Sequence, residues 1–394
     1  MLAGLSHCVH GWKASGRSSD LVDFALSAMA LAVYSRIWRD SVAAAEACSM
    51  YDRLLPLVHE QITHVSTLRQ KEIDPTLLAM FLMGRYEGVM HGCALGPQQP
   101  IQSIQSWSHH DGVMALLKFW YDNLSQEPAT AIVKHTRRGS IRSSLLRGRP
   151  LPPWLIDGQR FGEEGLDLEH DRIHVRIVSL RCALAKLFSE DTQPVGEVEG
   201  IDTEAQDLDE ALQRWASKSL STYQLHTMTI STPYPTKHFY APTIYSYNTL
   251  GDAAECAQYF ATRMILVNTR VKVRSKAIEL SRTAGFGALL CDRAQRECTR
   301  SLSAMAESLA HTVPFCLQLF EIPQVPGCRP SLKSDASITP WLASLVIWPL
   351  SIAASLDHLE HRQQSWFKSE LSELGKITGD GVLQDAETDR WLKF

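Results

Sequence analysis

The chain has 394 residues and a mass of 44.1 kDa, long enough to bury a large core in one or several domains. With 39 Lys and Arg against 43 Asp and Glu its formal charge is −4, without the basic excess typical of a protein that binds DNA by itself. Its nine cysteines are an odd number without a CxxC pair, which argues against a disulfide framework or a zinc module.

The amino-terminal segment carries no targeting pattern that we could identify. Residues 1–12 lack a basic start followed by a sustained apolar run, so a secretory signal is not predicted. No lipidation motif is present at either end. We therefore expect the chain in the cytoplasm or the nucleus.

The first half, residues 1–188, is predicted to be an N-terminal helical half. Apolar residues recur at helical spacing from about residue 19 to residue 38, and a second helix should begin near Ser41 with a kink at Pro56. Asp74 and Pro75 are typical of a helix start, so a third helix is predicted to open there. Further helices are expected over residues 107–123 and 129–147.

The clearest helix of the chain lies between residues 165 and 188. Its apolar residues follow steps of three, four and seven, which places them on one face: Leu166, Ile173, Ile177, Leu180, Leu184 and Leu187. Residues 189–201 are acidic, contain Pro and Gly, and are poor in large apolar side chains. We predict an acidic flexible connection at 189–201, followed by a C-terminal helical half at 202–394.

Residues 223–249 interrupt the helical pattern of the second half. They carry five tyrosines and three prolines with several β-branched residues, which predicts an extended loop, with a short hairpin as an alternative. No other stretch is typical of a strand. Because helical segments follow one another without alternating strands, the predicted fold class is all-α: a large multi-helix domain with one extended Tyr/Pro-rich loop.

A long, strongly apolar run without a charged residue lies at residues 338–356. Its 19 residues could just cross a bilayer, since about 20 apolar residues are needed, so a membrane helix is one interpretation. Serines at spacings of four and seven, and Pro349 in the middle, favour a helix buried in the protein, with Trp341 and Trp348 on its apolar faces. We predict a central buried helix at 338–360 and a last helix at about 385–394.

The sequence contains no recognisable catalytic motif. His59 and His64 are five positions apart, so they point about 140° away from each other and cannot share a metal ion. His170 and His174 have the right spacing for a surface metal site, with Asp167 and Asp171 nearby, but a solvated helix face is the favoured interpretation. No nucleophile elbow or phosphate-binding loop occurs. No catalytic residue, metal ligand or cofactor is predicted.

One segment concentrates positive charge. No acid occurs between residues 128 and 156, where the basic residues are Lys134, Arg137, Arg138, Arg142, Arg147 and Arg149. A solvated basic face explains them, and a nuclear import signal or a docking surface for an acidic partner is the sharper alternative. Ser140 follows two arginines closely and resembles a site for a basic-directed kinase. If the segment is a docking surface, changing Arg137, Arg138 and Arg142 to Gln should lower nuclear accumulation without changing the melting temperature.

Several short motifs, taken in order, carry a family resemblance. They are Arg85-Tyr86-Glu87 at the end of an apolar helix, His109-His110-Asp111-Gly112, Pro152-Pro153-Trp154-Leu155, Trp348-Pro349-Leu350 and Trp391. Together they resemble the fungal-specific transcription factor domain, the long helical region that follows the binuclear zinc cluster in fungal regulators. The resemblance covers most of the chain and implies control of transcription in the nucleus.

The DNA-binding part of that family is not found in this sequence. It needs CxxCx6C twice with basic residues between, whereas Cys291 and Cys298 match only the Cx6C fragment. The resemblance therefore implies a regulatory region without a zinc cluster or direct DNA binding. Its expected partners are other transcription proteins, a zinc-cluster DNA-binding partner or a second copy in a homodimer, and no membrane. A small-molecule-binding helical module and an unrecognised enzyme stay open as alternatives.

Overall fold

The computed structural model describes residues 18–91, 106–189, 195–220, 225–230, 233–283, 289–322, 330–333, 337–388 and 391–394, with a few isolated positions before residue 18. The chain is 77% helical, with 13 α-helices and two small sheets over these residues. The predicted all-α class is confirmed.

Seven helices precede the predicted connection. They are α1 (Asp20–Trp38), α2 (Ser41–Thr63), α3 (Gln70–Met90), α4 (Ser106–Asn123), α5 (Ala131–Arg147), α6 (Pro153–Ile156) and α7 (Gly165–Ser189). Six helices follow it: α8 (Val195–Ser219), α9 (Leu250–Thr283), α10 (Leu289–Cys316), α11 (Pro340–Ala354), α12 (His361–Thr378) and α13 (Gly381–Gln384). The one-faced helix predicted at 165–188 is α7.

The chain divides into two compact units, each assembled from separate segments. Unit 1 consists of Met1–Arg147, Leu151–Asp171 and Ser372–Leu392, and unit 2 of Gly148–Pro150, Arg172–Leu371 and Lys393–Phe394. This division differs from the predicted halves at 1–188 and 202–394, because distant segments of a chain can pack together.

The flexible connection predicted at 189–201 is wrong over its second half. Residues 190–194 lie outside the described residues, whereas residues 195–201 form the first turns of α8. Val198 and Ile201 are buried there, spaced three positions apart on one face of the helix. These two side chains pack the acidic segment as part of α8.

In unit 1, α1 packs against α2 and α3, and α3 packs against α4 and α5. Small residues line the contact of the first three helices, where Ala28, Ala32 and Ala47 are buried with Tyr86 and Val89. Alanine brings helix backbones close together, which leaves room for the larger side chains of α3.

Helix α3 begins at Gln70, four residues before the predicted start. The side chain of Glu72 accepts a hydrogen bond of 2.8 Å from the backbone N–H of Arg69 and so completes the amino-terminal turn. Asp74 is buried, and its Oδ1 accepts a hydrogen bond of 2.6 Å from Thr130. The predicted cap at Asp74 is therefore a buried tertiary contact.

One helix passes a length and hydropathy test for a membrane crossing. Among the described helices this is α1, whose mean hydropathy over an 18-residue window is 1.4 and of which 28% is buried. At its carboxyl end Tyr34, Ile37 and Trp38 are exposed. Helix α11, for which the sequence suggested a membrane alternative, has 15 residues, fewer than the roughly 20 that a crossing needs.

In unit 2, the long helix α9 packs against α8, α10 and α11. Acids of α8 pair with arginines of α9: Asp209 lies 2.7 Å from Arg263, and Asp202 lies 3.1 Å from Arg270 and 2.7 Å from Arg274. Two acids of α8, Asp202 and Asp209, are thus paired with the neighbouring helix.

The central helix of the second half is α11. Leu345, Trp348 and Leu350 are buried in it as predicted, but Trp341 is 46% exposed. The hydroxyl of Ser351 donates to the carbonyl of Ile347 at 2.7 Å, so that the buried hydroxyl is bonded within its own helix. The predicted length of 338–360 is wrong, since the helix ends at Ala354.

The Tyr/Pro-rich segment contains a short hairpin, the alternative that the sequence left open. Strands β1 (His226–Thr229) and β2 (Thr243–Ser246) pair antiparallel, with Met228 opposite Ile244. A second pair, β3 (Phe320–Glu321) and β4 (Ser331–Leu332), was not predicted.

The prediction of a last helix at about 385–394 is wrong. Helix α13 ends at Gln384, and a single 3-10 turn follows at Asp385–Glu387. In unit 2 the terminal Phe394 is buried, and its backbone N–H donates to the carbonyl of Ser355 at 2.8 Å. A tertiary contact therefore holds the end of the chain in place of a helix.

Candidate functional site

The basic segment that the sequence singled out lies on and just after α5, and its central residue is in the interior of unit 1. Arg137 is 0% exposed. Its guanidinium binds both carboxylate oxygens of Asp171, at 2.5 and 3.0 Å. It also donates to the carbonyl oxygens of Leu155 at 3.0 Å and Ile156 at 3.2 Å. We call these four residues the Arg137 cluster.

The Arg137 cluster determines the path of the chain between α5 and α7. The guanidinium lies 5.0 Å from the ring centroid of Phe161, a side chain with no exposure that also contacts Trp120. Because the carbonyls of Leu155 and Ile156 end the short helix α6, the arginine supplies donors that a helix end needs in a buried position. The Pro-Pro-Trp-Leu motif is thereby bound to α5.

Three other basic residues of the segment also have partners within unit 1. Arg138 pairs with Glu163 and Asp167, and these contacts raise the pKa of its guanidinium. Lys134 donates to the carbonyl of Gly162 at 2.6 Å, and Arg147 pairs with Asp111 at 3.0 Å.

Two members of the basic segment differ sharply in their surroundings. Burial and then the charge of Arg138 lower the pKa of Arg142 to about 10. Arg149 is exposed. The six residues are therefore not the continuous exposed basic face that an import signal or docking surface requires. The acids that pair with these basic residues lie outside the acid-free segment, so the sequence of the segment alone does not predict the ion pairs.

The structure argues against phosphorylation of Ser140. It is 1% exposed, and its hydroxyl donates to the carbonyl of Thr136 at 3.1 Å. A kinase needs an accessible hydroxyl in an extended segment, whereas Ser140 faces the interior from the middle of α5. The Arg-Arg-Gly-Ser pattern describes the local sequence and does not contain this burial.

Two glycines near the Arg137 cluster should respond to alanine in opposite ways. A Cβ at Gly158 would lie 2.3 Å from Oδ2 of Asp171, and that carboxylate cannot move away while Arg137 binds it. We expect Gly158→Ala to destabilise the chain by about 1–3 kcal/mol. A Cβ at Gly139, in α5, would have no atom within 4 Å, so Gly139→Ala should stabilise by about 0.5–1 kcal/mol.

Thermal unfolding of the two alanine variants beside the unchanged chain measures both effects. Equal thermal midpoints for the two variants would show that Arg137 does not fix the carboxylate of Asp171 next to Gly158.

A second polar cluster joins three helices of unit 1. Tyr51 of α2, Glu87 of α3 and His109 of α4 meet through one atom each. Tyr51 Oη lies 2.8 Å from Glu87 Oε1 and 2.8 Å from His109 Nε2, and His109 Nε2 lies 2.9 Å from Glu87 Oε1. We call these residues the Tyr51–Glu87–His109 triad.

The triad is partly buried and contains one carboxylate. The side chains of Glu87 and His109 are 17% and 14% exposed, and Glu87 Oε2 is buried without a hydrogen-bond partner. The ring of Tyr51 stacks on that of Tyr86 with centroids 4.2 Å apart. Burial and then the charge of Glu87 raise the pKa of Tyr51, with a further contribution from Asp52, so the phenol keeps its proton at neutral pH. The triad can hold protons or a cation.

Sequence reasoning reached only part of the triad. Glu87 and His109 belong to two of the motifs that carry the family resemblance, but no pattern connected them. Tyr51 belongs to no sequence motif, so nothing in the sequence marked it as a functional residue. Three positions 22 to 58 residues apart along the chain come together only through the packing of α2, α3 and α4.

The other histidine site considered from the sequence has its acids in ion pairs. Asp167 pairs with Arg138 and Asp171 with Arg137, so neither carboxylate is available to assist His170. Among the residues that the structure describes, no group of three or more His, Cys, Asp and Glu side chains could hold a metal ion.

Unit 2 has a buried pair of its own. His238, in the loop between β1 and β2, lies 2.8 Å from Glu370 of α12, and both side chains are at most 10% exposed. His238 has φ +65°, which is uncommon for a residue with a Cβ. Nearby, Arg362 donates to the carbonyl of Tyr240 at 3.2 Å and covers its ring at 4.8 Å. These contacts attach the Tyr/Pro-rich loop to α12.

Comparisons with models of known protein families, with curated proteins and with solved structures found no match to this chain.

Proposed function

We propose that this chain is a transcription-regulatory region of the kind found in fungal zinc-cluster regulators, acting in the nucleus without a DNA-binding zinc cluster of its own. One observation carries the proposal: residues of separate resemblance motifs are partners within unit 1. Glu87 of the Arg-Tyr-Glu motif binds His109 of the His-His-Asp-Gly motif. Motifs that depend on one another structurally are more informative than the same motifs scattered over a surface.

Two of the remaining motifs also lie in packed positions. Leu155 of the Pro-Pro-Trp-Leu motif is bound by Arg137, and Trp348 lies in the buried helix α11. The all-α architecture agrees with what the resemblance implies. In this proposal the partners are other transcription proteins, including a zinc-cluster protein that would supply DNA binding, or a second copy of the chain.

A reporter experiment tests the proposal. The chain is fused to an unrelated DNA-binding module and expressed in a fungal cell that carries a reporter with the matching DNA site. We expect the fusion to change reporter expression several-fold relative to the module alone. The exposed-site variant Arg149→Ala should keep the effect, whereas the interior variant Arg137→Ala should lose it.

A fusion that is folded, nuclear and bound to the reporter without changing its expression would contradict the proposal. Nuclear accumulation of the chain with a fluorescent tag is measured in parallel. This second measurement separates failure to regulate from failure to enter the nucleus.

A further inference from the structure

Three ligand-type atoms of the Tyr51–Glu87–His109 triad form a nearly equilateral triangle with sides of 2.8, 2.8 and 2.9 Å. An ordinary hydrogen-bond network explains two of the three sides, because Tyr51 O–H and His109 N–H can each donate to Glu87 Oε1. With Glu87 ionised, only these two protons are available for three short contacts. The third side then lacks a proton of its own.

The size of the triangle discriminates between metal geometries. Three ligands on one face of an octahedron, each about 2.0–2.1 Å from the ion, lie about 2.8–3.0 Å apart. Ligands of a tetrahedral ion at a similar distance lie about 3.3–3.4 Å apart. The triad therefore has the dimensions of an octahedral face and is too small for a tetrahedral site.

Charge and donor chemistry also favour a cation. Glu87 Oε2 is buried and without a partner, so the carboxylate has unused capacity to bind a positive charge. An imidazole nitrogen beside a carboxylate oxygen is a ligand pair that first-row transition metals accept better than Mg²⁺ or Ca²⁺, which prefer oxygen ligands alone.

We propose that Tyr51, Glu87 and His109 form a facial three-ligand site for a divalent first-row transition metal ion. Glu87 Oε1 and His109 Nε2 are the main ligands, and Tyr51 Oη completes the face. The three remaining coordination positions take water or an added ligand. The inference concerns unit 1 alone and does not rest on the proposed function.

Titration of the chelator-treated chain with Co²⁺, Ni²⁺ and Mg²⁺ tests the site. We expect one equivalent of Co²⁺ or Ni²⁺ to bind with micromolar affinity or better, and Mg²⁺ to bind far more weakly. The visible absorption of bound Co²⁺ should have the low intensity of a six-coordinate ion.

Variants locate the binding. His109→Ala and Glu87→Gln should each lower the affinity by about 100-fold, and Tyr51→Phe by about tenfold. His59→Ala, which removes an exposed histidine of α2, is the matched control and should change nothing. Glu87→Gln and Tyr51→Phe conserve shape, so they remain informative if His109→Ala does not fold.

Millimolar binding in the unchanged chain would overturn the proposal, as would tight binding that survives both Glu87→Gln and His109→Ala. Either result would show that the triad is a hydrogen-bond network only.

Discussion

Replacing Arg137 with alanine should destabilise the chain by about 3–5 kcal/mol, because it leaves the buried carboxylate of Asp171 without its partner. The carbonyls of Leu155 and Ile156 lose their donors in the same change. We expect a lower thermal midpoint and faster amide hydrogen exchange in residues 151–171. Exchange is measured by mass spectrometry, which reports on this segment separately from unit 2.

Two further variants make the Arg137 experiment specific. Arg149→Ala, at an exposed position of the same basic segment, should change stability by less than about 0.5 kcal/mol. The double change Arg137→Met with Asp171→Leu should recover much of the loss, since it removes both buried charges together. An unchanged thermal unfolding midpoint after Arg137→Ala would contradict this result. It would show that the guanidinium lies in solvent, as expected for a solvated basic face.

Replacing Trp348 with alanine should destabilise the chain by about 3–5 kcal/mol, the loss typical of a large aromatic residue removed from a core. Trp348 is 5% exposed in the middle of α11, the most apolar helix of unit 2. Thermal unfolding gives the size of the effect, and hydrogen exchange in α9, which packs against α11, shows that it acts in unit 2.

The same helix provides the control for this change. Trp341 is 46% exposed in the first turn of α11, so Trp341→Ala should cost less than about 1 kcal/mol. Because both changes replace tryptophan with alanine, the difference between the two stability losses reports the burial of the side chain. Equal losses in the two variants would mean that α11 packs with a different face toward the core.

The basic segment shows how a local pattern can mislead. Six cations without an acid in the surrounding run predict exposure, since unpaired charges are costly to bury. The acids that pair with them lie elsewhere in the sequence, at Asp111, Glu163, Asp167 and Asp171. Burial of Arg137 depends on these partners, and neither their identity nor their distance is contained in the segment itself.

Helix periodicity, by contrast, was reliable. The apolar spacing at residues 165–188 and the uncharged run at 338–356 each predicted a helix that the structure has, and the absence of alternating strand patterns predicted the all-α class. These features are local, because a helix forms its hydrogen bonds within about four residues and shows its buried face in the spacing of its own side chains.

The sequence by itself therefore determined the fold class, most helices and the helical motifs on which the proposed function depends. Only the tertiary structure decided that Arg137 and Ser140 are interior, that the units interleave distant segments, and that Tyr51, Glu87 and His109 converge on one point. The physical reason is the range of the interactions: backbone hydrogen bonds join near neighbours, whereas ion pairs and ligand clusters join residues that only the packing of helices brings together.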